Sequence, residues 1–472
     1  MPRDRIVALI VACALFMENM DSTVIATSLP AIAADIGTHP LALKLAITSY
    51  LLSLAVFIPV SGWTADRFGA RTVFRAAIGV FVLGSIGCAL SSSLGDFVIA
   101  RMVQGAGGAM MTPVGRLVLL RTVDKRALVA AMAWVTIPAL VGPLLGPPVG
   151  GFITTYASWH WIFLINVPIG LIGIALASRY IENIRAEKPD PFDFFGMTLI
   201  GVGIGGLAFG LSVLGLNFLP NAIVVALLAV GATSTFAYVV YARRAAAPVL
   251  DLSLLKVPTL RASVLGGFVS RVGIGALPFL LPLMLQLGFN MTPFESGLIT
   301  FSTALGAMGM KAAAAMILRW FGFRTVLVVN ALISAAFLAA IGLFTSGTPV
   351  LLMIALLAVG GFFRSLQFTS INTIAYADLD RHRMSGATSL VSVAQQLSIS
   401  AGVAVGALIV DLVSQYRAHQ ALTADDFSIA FYGVALIAAA AALIFARMPR
   451  DAGAEMANRL PPPSESEDRR TH

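Results

Sequence analysis

The feature that most limits this chain is its succession of long apolar runs. A helix needs about 20 mostly apolar residues to cross the hydrocarbon core of a bilayer. Fourteen runs of that kind follow one another, at 6–29, 43–64, 73–92, 95–118, 128–153, 161–180, 194–215, 220–241, 260–287, 294–318, 325–345, 349–375, 385–412 and 428–447. Inside lipid every backbone polar group must be satisfied within the protein, so such runs become helices. Of the 472 residues, 58% are hydrophobic and 11% charged, against about 45–50% apolar and about 25% charged in soluble domains. That balance excludes a soluble multidomain enzyme, a disulfide scaffold and a disordered chain together. The fold class predicted is an all-α polytopic membrane protein with 14 spans. The start, Met1–Arg5 followed by apolar Ile6–Met17, imitates a signal peptide, but Glu18 and Asp21 interrupt the run. We read it as an uncleaved first span.

The net charge of +8 is an orientation signal. With the N-terminus in the cytoplasm, the outside loops hold only Lys44 and Arg417. Arg101, Arg116, Arg271, Lys311 and Arg364 lie within spans, and the remaining 24 of 31 basic residues fall on the cytoplasmic side. The positive-inside rule then places both termini in the cytoplasm of a bacterial-type inner (plasma) membrane. Cys13 and Cys88 fall at opposite depths, which argues against a disulfide. The five histidines are scattered, so no metal site is expected. The Gly-rich stretch 201–206 lies inside an apolar span and follows no strand, which suits helix packing better than a nucleotide loop. No Walker loop or nucleophile elbow is present, and no cofactor is expected.

The chain also repeats itself. Phe68-Gly69-Ala70-Arg71-Thr72-Val73 recurs 253 residues on as Phe321-Gly322-Phe323-Arg324-Thr325-Val326, and Gly107-Gly108 recurs in the same register as Gly360-Gly361. Spans 1–6 therefore correspond to spans 9–14, and spans 7 and 8 are a surplus pair. Two parallel six-helix halves with a site between them is a transporter architecture. The expected organisation is an N-terminal half at 1–182, a linker with two extra helices at 183–258, a C-terminal half at 259–447 and a disordered cytoplasmic tail at 448–472. Pro248–Lys256 reads as an interfacial linker segment.

Several segments resemble a known family. Gly62-Trp63-Thr64-Ala65-Asp66-Arg67-Phe68-Gly69-Ala70-Arg71 resembles the loop signature of the major facilitator superfamily. Arg101, Gln104, Gly105 and Gly107-Gly108 in span 4 are similar to its membrane-embedded arginine motif, and 142–151 in span 5 resembles the antiporter signature. With Met20–Val24, Leu29-Pro30 and Trp159–Pro168, the pattern resembles the fourteen-span drug/proton antiporter branch, and within it an MdtD-like multidrug resistance subgroup. The resemblance implies a major facilitator fold and a cytoplasmic latch made by Gly62, Asp66, Arg67, Gly69 and Arg71. It also implies a seal or bending point at Gly142, Pro143, Gly146, Pro147, Gly150 and Gly151, a stretch that ordinary small-residue packing explains equally well. Physically, Gly62 and Gly69 permit a tight turn. The second copy has Arg319 where Asp66 stands, so a second latch is not expected.

Charged residues within spans are costly and are functional candidates. Glu18 and Asp21, three apart, share a helix face. Asp21 lies about 12 Å and Arg101 about 9 Å below the outer ends of their spans at a 1.5 Å rise. Their depths match, and the resemblance brings spans 1 and 4 together, so we expect them to pair. At the 253-residue offset Glu18 corresponds to Arg271, and we expect those two to meet across the central cavity in one access state. Proton coupling is assigned to Asp21, Glu18, Arg101 and Arg271. Candidate substrate-cavity residues are Gln104, Arg364, Gln367, Asn372 and Gln286.

The expected function is a proton-coupled efflux transporter, a drug/H+ antiporter of multidrug resistance type that works by alternating access. An exporter dedicated to an anionic or zwitterionic metabolite stays open, because intramembrane arginines outnumber carboxylates. So does a non-transporting membrane sensor on the same fold. The expected partners are a small-molecule substrate and the lipid bilayer, with no nucleic acid and a monomeric state; a periplasmic adaptor is left open.

Overall fold

The computed structural model describes residues 3–122, 128–185, 191–213, 216, 218–245, 247–380, 383–417, 422–454 and 456–457. Among them there is no strand. A helix stands at each of the fourteen predicted places. Twelve stretches are long and apolar enough to cross a membrane. In the places of spans 4 and 5 stand two 29-residue helices, Leu94–Thr122 and Leu128–Tyr156. Most of the tail from 448 on lies outside the described residues.

Two ends differ from expectation, and proline and glycine explain both. Span 1 runs as a helix over Arg3–Val24, then as a tight turn at Ile25–Thr27, and a new helix starts at Leu29–Asp35. Pro30, in the first turn of that new helix, has no N–H to continue the old one. Span 2 does not stop near residue 64. After Lys44–Phe57 and a turn at Ile58–Val60, helix continues over Ser61–Phe68 and ends at Gly69, whose φ is +94°. The loop signature is thus mostly helical. Gly69 makes the turn, but Gly62 lies within the helix, where an added Cβ would meet no atom within 4 Å. The prediction of a turn at Gly62 is corrected.

The repeat is visible in the backbone. Gly322, 253 residues after Gly69, also has a positive φ, of +73°. Gly107 packs on span 3 at Phe81 and Gly108 on span 2 at Tyr50 and Leu54. Their copies, Gly360 and Gly361, pack on span 11 at Phe337 and span 10 at Thr303. The two arginines that follow the turns also match. Arg71 donates to the Ile181 carbonyl at the end of span 6 (3.4 Å), and Arg324 donates to the Ala446 carbonyl at the end of span 14 (2.7 Å). A cation at a helix C-terminus meets unpaired carbonyls and the negative end of the dipole.

The stretch 142–151 is a packing stripe. Gly142, Gly146 and Gly150, four residues apart, lie on one helix face and take span 1 against backbone, at Phe16 and Met20, at Thr23 and Val24, and at Val24 and Thr27. Gly151 faces span 10 at Pro293 and Phe294, and Gly297 on span 10 faces Pro147 and Pro148. Small residues let helix backbones approach where no hydrophobic force pulls them together. Spans 5 and 10 thereby join the two halves at the end of the bundle remote from the termini. Further links there are Gln286 Nε2 donating to the Thr27 carbonyl (2.9 Å) and the Phe294 N–H donating to Thr155 Oγ1 (3.1 Å). Phe152, Tyr156 and Phe294 cluster beside them.

The surplus pair, Phe194–Val213 and Asn221–Ala242, forms a hairpin with Gly203 and Gly206 packed against Thr235 and Gly231. Ala55 of span 2, Ile200, Tyr238, Leu250 and Val393 of span 13 share one buried cluster, so the hairpin sits beside the seam between spans 2 and 13.

Candidate functional site

The polar residues of the N-terminal half converge on one carboxylate. Asp21 is fully buried and accepts three hydrogen bonds: from Arg101 Nη1 at 2.7 Å, Gln104 Nε2 at 2.8 Å and Asn166 Nδ2 at 2.9 Å. Arg101 also donates to Gln104 Oε1 and, through Nε, to the Ala46 carbonyl at 3.2 Å. Its guanidinium lies over the Tyr50 ring, 4.3 Å from the centroid. Ser85 Oγ accepts from Gln104 Nε2 at 2.7 Å and from Asn166 Nδ2 at 3.2 Å. Five spans (1, 2, 3, 4 and 6) therefore meet at a paired and hydrogen-bonded ion pair. A buried charge is tolerable only with such compensation.

Glu18, one turn from Asp21, has a different setting. It is half-buried, and its Oε2 accepts one hydrogen bond, from Thr112 Oγ1 at 2.7 Å. The predicted Asp21–Arg101 pair forms; a Glu18–Arg271 contact does not form in this state. Arg271 instead donates through Nη2 to Asn372 Oδ1 at 2.8 Å and lies 5.5 Å from the centroid of the Phe368 ring. Its Nε and Nη1 are buried without a hydrogen-bond partner, as are Nη1 and Nη2 of Arg364. Among the described residues neither arginine has a carboxylate oxygen within 4.0 Å.

Three of the five predicted cavity residues are placed elsewhere. Gln104 belongs to the Asp21 network. Gln367 is fully buried between spans 12 and 11, accepting from Asn330 and donating to the Leu327 carbonyl. Gln286 holds the seam between the halves. Amides inside a low-dielectric bundle find backbone or side-chain partners first. Asn372 and Arg364 keep their candidacy. In the loop signature, Trp63 packs on Phe68, Phe192 and Phe194, and Arg71 is spent on its own half. Tyr50, Ser85, Thr112 and Asn166 had no place among the predicted site residues. Asn166 carried a signal, an amide inside the apolar run 161–180; the other three look like ordinary span residues in sequence.

The comparisons with known proteins follow the same line. The Major Facilitator Superfamily model matches residues 11–259 and 263–468. A multidrug resistance protein named MdtD from Pectobacterium atrosepticum is 39% identical over 444 residues, covering 94% of this chain and 95% of that one. Its namesake from an Enterobacter species is 40% identical over 452 residues, with 94% of each chain covered. Among solved structures, the fold is similar to a D-xylose–proton symporter (TM-score 0.67, 16% identity, 95% of this chain and 98% of that one). It is also similar to the human organic anion transporter MFSD10 (TM-score 0.62, 16% identity, 94% and 100%). A multi-pass membrane transporter of small molecules, the chain belongs to the major facilitator superfamily as an MdtD-like member.

Proposed function

We propose that the chain is a proton-coupled exporter that works by alternating access, with both termini in the cytoplasm of the inner membrane. The observation that carries this reading is the pair of unlike carboxyls one turn apart on span 1. Asp21 is sealed and fully paired, and Glu18 is half-buried with one neutral donor. A paired carboxylate holds its charge, whereas a carboxyl with few partners in an apolar bundle is free to bind and release a proton. Glu18 is then the exchanging group and Asp21–Arg101 the element that responds. Each charge moved across the membrane carries about 2.3 kcal/mol per 100 mV, enough to drive a rocking cycle. The joined far end corresponds to closure toward the outside, and the 62–71 segment serves as the latch of the opposite state.

The test uses proteoliposomes with an imposed pH gradient and ethidium as the fluorescent probe. Glu18→Gln and Asp21→Asn are each expected to abolish gradient-driven movement. If both keep full coupling, the reading is wrong.

A second reading, export of an anionic or zwitterionic metabolite, is favoured by Arg271 and Arg364. Buried guanidinium nitrogens without a partner are costly, and an anionic substrate would satisfy them. Competition of carboxylates against quaternary ammonium compounds in the same vesicles decides. A preference for the cations would overturn this reading.

A further inference from the structure

Tyr50 is buried at 1% exposure. Its ring carries the Arg101 guanidinium, yet its hydroxyl has no hydrogen-bond partner. A phenol is seldom left so when buried; phenylalanine would give Arg101 the same face without that cost. The hydroxyl and Glu18 share one neighbour. Both lie beside Gly108, where an added Cβ would be 3.1 Å from Tyr50 Oη and 3.6 Å from Glu18 Cγ. The charges that face the hydroxyl are those of Glu18, Asp21 and Arg101. Around Glu18 itself stand Asp21 on its own span, Thr112 and Arg116 on span 4, and Tyr50 on span 2.

We infer that Tyr50 is a positioning residue that links the protonation of Glu18 to the Asp21–Arg101 pair, an inference that rests on Glu18 being the proton-exchanging group. The Tyr50 hydroxyl and Glu18 are not hydrogen-bonded in this structure; when Glu18 is ionised and its side chain turns to the hydroxyl, the hydroxyl donates to the carboxylate. When Glu18 takes a proton from the cavity, its O–H donates to the hydroxyl oxygen instead. The tyrosine gains and loses no proton; it reverses the direction of one hydrogen bond. Because the same ring is the seat of Arg101, a change at one end of the side chain is felt at the other. Gly108 is part of the device, since an added Cβ there would crowd both the hydroxyl and Glu18.

The test is an infrared titration of the reconstituted full-length protein, following the C=O band of protonated carboxyls as pH is lowered. Wild type, Tyr50→Phe and Glu18→Gln are compared. The band lost in Glu18→Gln is expected to move to higher frequency in Tyr50→Phe, with a shifted titration midpoint. Thermal stability should not fall, because the ring under Arg101 is kept and a buried unpaired hydroxyl is removed. A Glu18 band identical in frequency and midpoint in Tyr50→Phe overturns the inference and leaves Glu18 as the exchanging group. If Glu18→Gln removes no titrating band, both the inference and the reading beneath it fail.

Discussion

The Asp21–Arg101 pair makes a prediction whose size follows from its neighbours. Asp21→Leu leaves Arg101 buried with the Gln104 side-chain oxygen, the Ala46 carbonyl and the Tyr50 and Phe163 faces around it, and no carboxylate. Removing one member of a buried ion pair costs about 3–5 kcal/mol. The amides of Gln104 and Asn166 lose an acceptor as well, but both still reach Ser85 Oγ, so that loss stays near the about 1 kcal/mol of an ordinary hydrogen bond. Arg101→Met is milder, since Asp21 then keeps two amide donors. The double variant Asp21→Leu/Arg101→Met leaves no uncompensated charge. Buried pairs replaced by apolar residues of similar volume are often neutral in stability. The double variant should therefore lose less than Asp21→Leu alone, a strongly non-additive cycle. Unfolding of the purified variants in mixed micelles, followed by helicity, measures it. If the double variant loses the sum of the two single losses, the charges act independently and the reasoning fails.

Four further outcomes follow from the packing. Gly62→Ala should be neutral or stabilise by about 0.5–1 kcal/mol, because it adds a methyl to an open helix surface. Gly150→Val should abolish transport, because its Cβ would enter the Val24 backbone; surface expression and ethidium efflux separate the two. Gly69→Ala should cost about 1–2 kcal/mol for its φ of +94° alone. Asn183→Ala should recover only the steric part, since the Asn183 amide lies against that position; thermal midpoints of the two variants and their double read this. Arg71→Ala and Arg324→Ala should each cost about 0.3–1 kcal/mol. Hydrogen exchange is expected to rise only at the helix end each arginine caps, near Ile181 and Ala446 respectively.

Periodicity and charge made most of the architecture legible before any coordinates. Long apolar runs leave one backbone solution in lipid. The 253-residue register placed Gly69 with Gly322 and Gly107 with Gly360, positions of a turn and of a close helix approach. Asp21 and Arg101 could be paired from their matching depths together with the resemblance that sets spans 1 and 4 side by side. What stayed hidden had no such constraint. Ser85, Thr112 and Tyr50 are common span residues, and only the rotation of each helix about its axis turns them inward. The misplaced amides have the same cause. Sequence shows that Gln104, Gln286 and Gln367 are in the membrane, but not which side of the helix they occupy. The stop of span 2 was misjudged because Gly62 looks like the turn residue that Gly69 is.

The repeat also explains how one backbone carries two chemistries. At the positions of Asp21, Arg101 and Gln104 the second half has Ile274, Ile354 and Leu357, so the sealed polar network has no copy. Where the first half has Glu18 and Met111, the second has Arg271 and Arg364. The exchange is not a simple swap of sign. In the first half every charge on the network is matched, and Glu18 is half-buried with a neutral donor, Thr112, as its hydrogen-bond partner among the described residues. In the second half two guanidinium groups stay buried with free donors, and neither can give up its proton in the physiological range. On the proposed reading, in which Glu18 exchanges the proton, a group that changes charge and a group that keeps it are held on opposite halves, at or near equivalent depths. If the halves rock as proposed, the motion would alter the field that Arg271 exerts on Glu18 without breaking a bond within either half. On that reading the changing distance between the two halves acts on Glu18 alongside the link through Tyr50.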